Sequence, residues 1–156
     1  MLRLGLLVAL PVILLDQLTK WWMLAFVLNP PKVITVTEFF NIVLVWNRGV
    51  SFGMFGTHSS WGPILLSTIA LAISVVLVVW LRRVDSRLTA SAIGLVLGGA
   101  LGNVIDRIRF GAVADFLDFH AFGYHWPAFN VADSAISIGV GLLLYDGLFE
   151  RRRQPG

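Results

Sequence analysis

Four long apolar stretches dominate this chain of 156 residues, at about 4–28, 61–81, 88–108 and 131–149. A helix rises about 1.5 Å per residue, so each stretch is long enough to cross about 30 Å of hydrocarbon. Only 13% of the residues are charged, which is about half the share of an average soluble domain. We therefore expect one integral membrane domain over residues 1–156, an all-α polytopic membrane protein with four transmembrane helices.

Composition and charge exclude several classes of protein. The chain has no cysteine, which excludes disulfides and cysteine-ligated metals. Its net charge of +3 does not indicate a nucleic-acid partner, because the basic residues lie at the ends of apolar stretches. The densest groups are Arg3, the turn with Arg82, Arg83 and Arg87, and the tail 151–153. Dense basic flanks are cytoplasmic, so we expect both termini in the cytoplasm and segments 29–60 and 109–130 outside.

The two outer segments differ in composition. Residues 33–37 and 39–46 are rich in β-branched and aromatic residues, and prolines and glycine bound them. This pattern predicts short strands, and hence a small extracytoplasmic β-sheet within about 29–60. Segment 109–130 mixes aromatic residues with glycine and proline, and we expect a loop or short helix there at the membrane interface.

Four aspartates lie inside or at the edge of the apolar stretches: Asp16, Asp106, Asp115 and Asp133. A carboxylate at the centre of a membrane helix costs about 2.5–3.5 kcal/mol on insertion scales, so it usually has a function. We expect Asp115 just past the third helix and Asp133 in the first turn of the fourth, at similar depth. Two carboxyls in contact can supply one base and one acid. Alternatively, Asp133 or Asn130 caps the fourth helix and Asp115 is a solvated loop charge.

Two further polar groups lie near helix ends. Asn103, Asp106 and Arg107 fall within one turn of the third helix, where the arginine can pair with a carboxylate, hold a substrate carbonyl or snorkel. The spacing of Asp16 and Lys20 allows an ion pair within the first helix, or a polar wall of a site.

Glycines indicate two close approaches of the backbone. Residues 47–53 form a turn by composition, in which Gly49 permits positive φ or contact with a ligand and Asn47 can bind a peptide. Gly94, Gly98 and Gly102 form a small-residue face that predicts close helix packing. His58, His120 and His125 lie in outer segments without a zinc motif, and we expect neither metal nor cofactor.

Over almost its whole length the chain resembles the bacterial lipoprotein signal peptidases, known as signal peptidase II. Five ordered motifs carry the resemblance, and the last three are the most specific. They are DQLTK at 16–20, NRGVSFG at 47–53, GGALGNVIDR at 98–107, GAVADF at 111–116 and PAFNVAD at 127–133.

The resemblance implies an aspartic endopeptidase of the bacterial cytoplasmic membrane, with its active site near the extracytoplasmic face. Such enzymes cleave prolipoproteins just before a cysteine that carries diacylglycerol, and globomycin inhibits them. Asp115 and Asp133 are then the catalytic pair. The supporting residues would be Asp16, Lys20, Asn47, Gly49, Asn103, Asp106, Arg107 and Asn130.

The same resemblance implies a β-cradle and a mobile outer helix over the site. It also implies prolipoproteins, membrane lipids and globomycin-like inhibitors as partners of a monomer. Two other classes fit parts of the pattern. A small transporter would place its polar groups at the midplane, and an assembly protein would use only the glycine face for docking.

Overall fold

The computed structural model of the protein describes residues 1–49 and 61–150. It contains four long helices, with bounds α1 Leu2–Trp22, α2 Trp61–Leu81, α3 Arg87–Phe110 and α4 Val131–Glu150. A π-helical turn, Met23–Val27, continues α1. All four helices are long and apolar enough to cross a membrane, which confirms the predicted number of spans.

Helix α3 lies at the centre and packs against α1, α2 and α4. In its most apolar part 61% of the residues are buried, against 17% in each of the other three spans. A Cβ added at Gly98 would lie 2.7 Å from the carbonyl oxygen of Ala9, and one added at Gly94 would lie 2.9 Å from Val8 Cβ. The predicted small-residue face is therefore confirmed, and it lets α1 and α3 approach closely.

Four antiparallel strands form one sheet in the order β1 Ile34–Thr37, β2 Phe40–Asn47, β3 Val113–Ala121 and β4 Tyr124–His125. The strands predicted within 29–60 are confirmed. Because β1 and β2 follow α1 while β3 and β4 connect α3 to α4, the sheet covers one end of the bundle. We call this end the sheet end.

The prediction of a loop or short helix over 109–130 is wrong. Gly111 adopts φ +69° and ends α3, and the chain then pairs along β2 from Val113 to Phe119. Strand β2 offers a free edge of backbone donors and acceptors, and the aromatic and β-branched residues of this segment suit a strand. Residues 50–53 of the predicted turn and His58 lie outside the described residues.

Candidate active site

Asp115 lies in β3 with only 1% of its surface exposed. Its Oδ1 accepts a hydrogen bond from Asn130 Nδ2 at 2.6 Å, and its Oδ2 accepts one from Asn47 Nδ2 at 3.0 Å. Val45 pairs with Asp115 and Asn47 pairs with Val113, so the Asn47 and Asp115 side chains lie on the same face of the sheet. Two neutral amides hold this carboxyl, and the alternative of a solvated loop charge is wrong.

Asp133 lies in the first turn of α4, as predicted. Its Oδ1 accepts a hydrogen bond from Asn103 Nδ2 at 2.8 Å, and its Oδ2 accepts the Asn130 N–H at 3.2 Å. Asn130 Oδ1 in turn accepts the Asp133 N–H at 3.0 Å. These reciprocal bonds form a capping box. Asn130 is therefore the N-cap of α4, and Asp133 is its partner at the third helical position.

The two amides join the two carboxyls in one network. Asn130 Nδ2 contacts Asn103 Oδ1 at 3.3 Å in addition to Asp115, and Asn103 Nδ2 binds Asp133. A chain of side-chain hydrogen bonds thus runs from Asp115 through Asn130 and Asn103 to Asp133. Four residues predicted for the site from separate parts of the sequence meet at the sheet end.

The environment of Asp115 favours its protonated form. The pKa of Asp115 is raised from 3.8 to about 6, mainly by burial and also by the charge of Asp133. Hydrogen bonds from Asn47 and Asn130 and the charge of Lys20 lower the same pKa, with a smaller combined effect. A carboxyl with a pKa of about 6 can release or take up a proton near neutral pH.

Lys20 lies at the centre of a second buried cluster. Its Nζ contacts Asp16 Oδ2 at 2.9 Å, Asp106 Oδ2 at 2.8 Å and Asn103 Oδ1 at 3.1 Å. The predicted Asp16–Lys20 ion pair is confirmed. Asp106, which the sequence placed with Asn103 and Arg107, is a second partner of the lysine.

Arg107 borders a cavity of about 590 Å³ whose lining also includes Arg48, Ser67 and Phe110. Its Nη1 donates to the carbonyl oxygen of Asn103 at 3.4 Å, while its buried Nε has no partner in residues 1–49 and 61–150. Of the three roles predicted for Arg107, an ion pair with a carboxylate is not formed in these ranges. Its other two predicted roles, holding a substrate carbonyl and snorkelling, stay predictions.

A second cavity, of about 530 Å³, gives access to Asp133. Asn47, Asp133 and Ser134 contribute polar groups to its wall, and Trp126 and Ile138 contribute apolar surface. The candidate site therefore opens into a space that suits an apolar ligand with a polar reacting group.

Gly49 ends the strand that carries Asn47. It adopts φ +81°, and its N–H donates to Asn47 Oδ1 at 2.8 Å. A Cβ at this position would collide with the Leu66 side chain on α2. The predicted positive φ is confirmed, and the turn orients the Asn47 amide so that its nitrogen faces Asp115.

Sequence reasoning missed two polar groups at the sheet end. Gln17 Nε2 donates to Asp16 Oδ2 at 3.1 Å and to Asp106 Oδ1 at 2.9 Å. In the sequence, only its place in the DQLTK motif indicated that Gln17 belongs to this cluster. In the sheet, Asp118 accepts hydrogen bonds from Asn41 at 3.0 Å and contacts His125 Nδ1 at 2.9 Å.

In the ranges that the structure covers, no three His, Cys, Asp or Glu side chains are grouped to hold a metal ion. The acidic and amide groups of the site are instead hydrogen-bonded to one another. Acid–base chemistry by carboxyls is thus the chemistry that these side chains can supply.

Two solved structures of bacterial membrane enzymes are similar to this chain. One, at 2.3 Å resolution, has a TM-score of 0.80 and 32% identity, and the match covers 97% of this chain and 91% of that one. The other, at 1.9 Å resolution, has a TM-score of 0.78 and 34% identity, with 92% of each chain covered. The fold therefore belongs to the class of membrane enzymes built from four spanning helices and a small sheet.

Sequence comparison then identifies the family, because the family described as Signal peptidase (SPase) II matches residues 8–149. A lipoprotein signal peptidase of Rhodopseudomonas palustris (strain TIE-1) is 44% identical over 151 residues, with 94% of this chain and 92% of the relative covered. A lipoprotein signal peptidase of Burkholderia vietnamiensis (strain G4 / LMG 22486) is 48% identical over 143 residues, with 90% of this chain and 85% of the relative covered. The chain belongs to the signal peptidase II family and is an aspartic peptidase of the bacterial inner membrane.

Proposed function

We propose that this protein removes the signal peptide from diacylglyceryl-modified prolipoproteins, cutting on the N-terminal side of the lipidated cysteine. The relatives named above are lipoprotein signal peptidases, and the chain matches them over nearly its full length. Both termini lie in the cytoplasm, the sheet end faces the outside, and the enzyme acts as a monomer. Globomycin-like peptides inhibit it by occupying the substrate cavity.

Asp115 and Asp133 are the catalytic pair in this proposal. The observation that carries it is the position of Asn130, which donates to the Asp115 carboxyl through its side chain and to the Asp133 carboxyl through its backbone N–H. One residue thus holds both acids, and the raised pKa of Asp115 lets it hold a proton to higher pH than an ordinary aspartate. A pair with one proton has the base and the acid that peptide hydrolysis needs.

The reaction follows from this arrangement. The ionised carboxyl takes a proton from water while the oxygen attacks the carbonyl carbon before the lipidated cysteine, and the protonated carboxyl donates to the carbonyl oxygen. The resulting tetrahedral diol returns one proton to a carboxylate as the C–N bond breaks. The other carboxyl protonates the departing amine, so the pair is regenerated with one proton.

Substrate binding uses the surfaces beside this pair. The signal peptide enters laterally from the lipid, and its acyl chains remain in the bilayer. Arg107, which lines the cavity of about 590 Å³, and Asn47, which lines the cavity of about 530 Å³, hold carbonyl groups of the peptide backbone. Holding the scissile bond in place accounts for a large share of the rate gain, because orientation replaces a costly encounter.

A cleavage assay with purified protein in lipid tests the proposal. The wild-type protein should cleave a lipidated precursor and leave an unlipidated copy intact, and globomycin should block the cleavage. Asp115→Asn should abolish turnover while preserving the fold. Asp118→Asn is the matched control, because Asp118 lies three residues away in the same strand and is also buried. Near-normal cleavage by Asp115→Asn would refute the catalytic pair.

A further inference from the structure

Two buried carboxylates hold the backbone next to the proposed catalytic acids. Asp106 Oδ2 accepts the N–H of Ala114 at 3.1 Å, and Asp16 Oδ1 accepts the N–H of Ala132 at 3.0 Å. Ala114 directly precedes one catalytic aspartate and Ala132 directly precedes the other. Each bond therefore fixes the strand or helix at the point from which a catalytic side chain projects.

Lys20 connects these two carboxylates. An ammonium has three N–H donors, and Lys20 has three acceptors in reach, on Asp16, Asp106 and Asn103. Its side chain is 3% exposed, and no donor remains for a substrate. The Asn103 amide that it contacts donates in turn to Asp133.

Lys20 and Asp133 line different cavities. Lys20 borders a small cavity of about 260 Å³ with Gln17 and Trp21, and the lining of that cavity includes neither Asp115 nor Asp133. A cation is also needed at this point for stability, because two carboxylates buried side by side would otherwise repel each other strongly.

We propose that Lys20 is a positioning residue, which sets the spacing of β3 and α4 through Asp106 and Asp16 and orients the Asp133 carboxyl through Asn103. It acts without contacting the substrate. This inference rests on the proposed function, since positioning has a meaning only if Asp115 and Asp133 carry the chemistry.

Kinetics of Lys20→Met test the role. We expect kcat for a lipidated precursor to fall by about 10²-fold, the usual cost of a misplacement near 1 Å, while KM stays within about twofold. The alkaline limb of the pH profile should also move to higher pH, because the charge of Lys20 lowers the pKa of Asp115, which holds the proton of the pair. Lys32→Met is the control, since it removes the same charge from an exposed position and should leave both constants unchanged.

An unchanged kcat in folded Lys20→Met, or a tenfold rise of KM with unchanged kcat, would overturn the positioning role. If Lys20→Met does not fold, Gln17→Leu decides by the same criteria, because Gln17 also donates to Asp16 and Asp106. A wild-type protein that cleaves no lipidated precursor overturns the proposed function itself. Active wild-type protein with an unaffected Lys20→Met overturns only the positioning role.

Discussion

The two pairs of aspartates at the sheet end differ in what neutralises them. Asp16 and Asp106 share the ammonium of Lys20 and form ion pairs of 2.9 and 2.8 Å. Asp115 and Asp133 are held by the amide groups of asparagines, and neither forms an ion pair within the described ranges. Shared ion pairs bind Asp16 and Asp106 into the framework of the bundle, whereas Asp115, whose partners are neutral amides, has a pKa raised to about 6. We therefore assign structure to the first pair and chemistry to the second.

Replacing one acid of each pair by asparagine gives the largest expected contrast. Asp133→Asn should lower kcat by at least about 10³-fold, because the water loses one of its two proton partners. Its free energy of unfolding should fall by only about 0.5–1.5 kcal/mol, since asparagine keeps one acceptor for the helix cap and loses the hydrogen bond from Asn103. Asp106→Asn should instead lower the free energy of unfolding by about 3–5 kcal/mol, because it breaks a buried ion pair.

Thermal unfolding and single-turnover kinetics on both variants distinguish the two assignments. Per folded molecule, Asp106→Asn should lose at most about 10²-fold in turnover, as expected for a displaced but intact catalytic pair. A folded Asp106→Asn that is inactive, together with an active Asp133→Asn, would reverse the roles of the two pairs.

The contact of α1 with α3 offers a smaller perturbation of the same comparison. A Cβ at Gly102 would lie 2.6 Å from Asp16 Oδ2 and 3.5 Å from Ala132 Cβ, so Gly102→Ala should displace Asp16 from the Ala132 N–H. Such overpacking costs about 1–3 kcal/mol, and we expect about a tenfold loss of kcat. Gly141→Ala is the matched control, because a Cβ there meets nothing within 4 Å. Equal thermal shifts in the two variants would contradict this account.

Local patterns in the sequence predicted the parts of the molecule that local rules determine. The four spans follow from apolar length, and the Asp16–Lys20 pair follows from helical spacing. The glycines of α3 predicted close helix packing, although they did not identify the partner helix. The strands before Asn47 followed from their composition.

Apolar length, helical spacing and composition do not predict contacts between residues that are far apart in the sequence. Strand β3 forms because it pairs with the edge of β2. The sequence of residues 109–130 contains no periodic pattern that predicts this pairing. The Asp106–Lys20 pair and the Asn47–Asp115 hydrogen bond join residues far apart in sequence. The resemblance to a family already separated the pair Asp115 and Asp133 from the supporting residues, but it gave none of the hydrogen bonds that connect them.

The proton on the catalytic pair provides the most sensitive test of the comparison. Asn47 donates to Asp115 Oδ2 at 3.0 Å and so lowers the pKa of that carboxyl. Asn47→Ala should raise this pKa above its present value of about 6. A hydrogen bond to a charged group is worth about 1.5–3 kcal/mol, so the pKa should rise by about one to two units. The alkaline limb of the activity profile, where the pair loses its shared proton, should move upward by that amount.

The raised pKa of Asp115 also makes the stability of the fold depend on pH. The folded pKa of Asp115 exceeds 3.8, so the folded state binds more protons between about pH 4 and 6, and this group's contribution to stability declines as pH rises through that window. Asn41→Ala is the matched control, because Asn41 lies in the same strand and donates to Asp118 instead. An alkaline limb that stays in place in Asn47→Ala, or that moves equally in Asn41→Ala, would show that the amides around Asp115 do not control its proton.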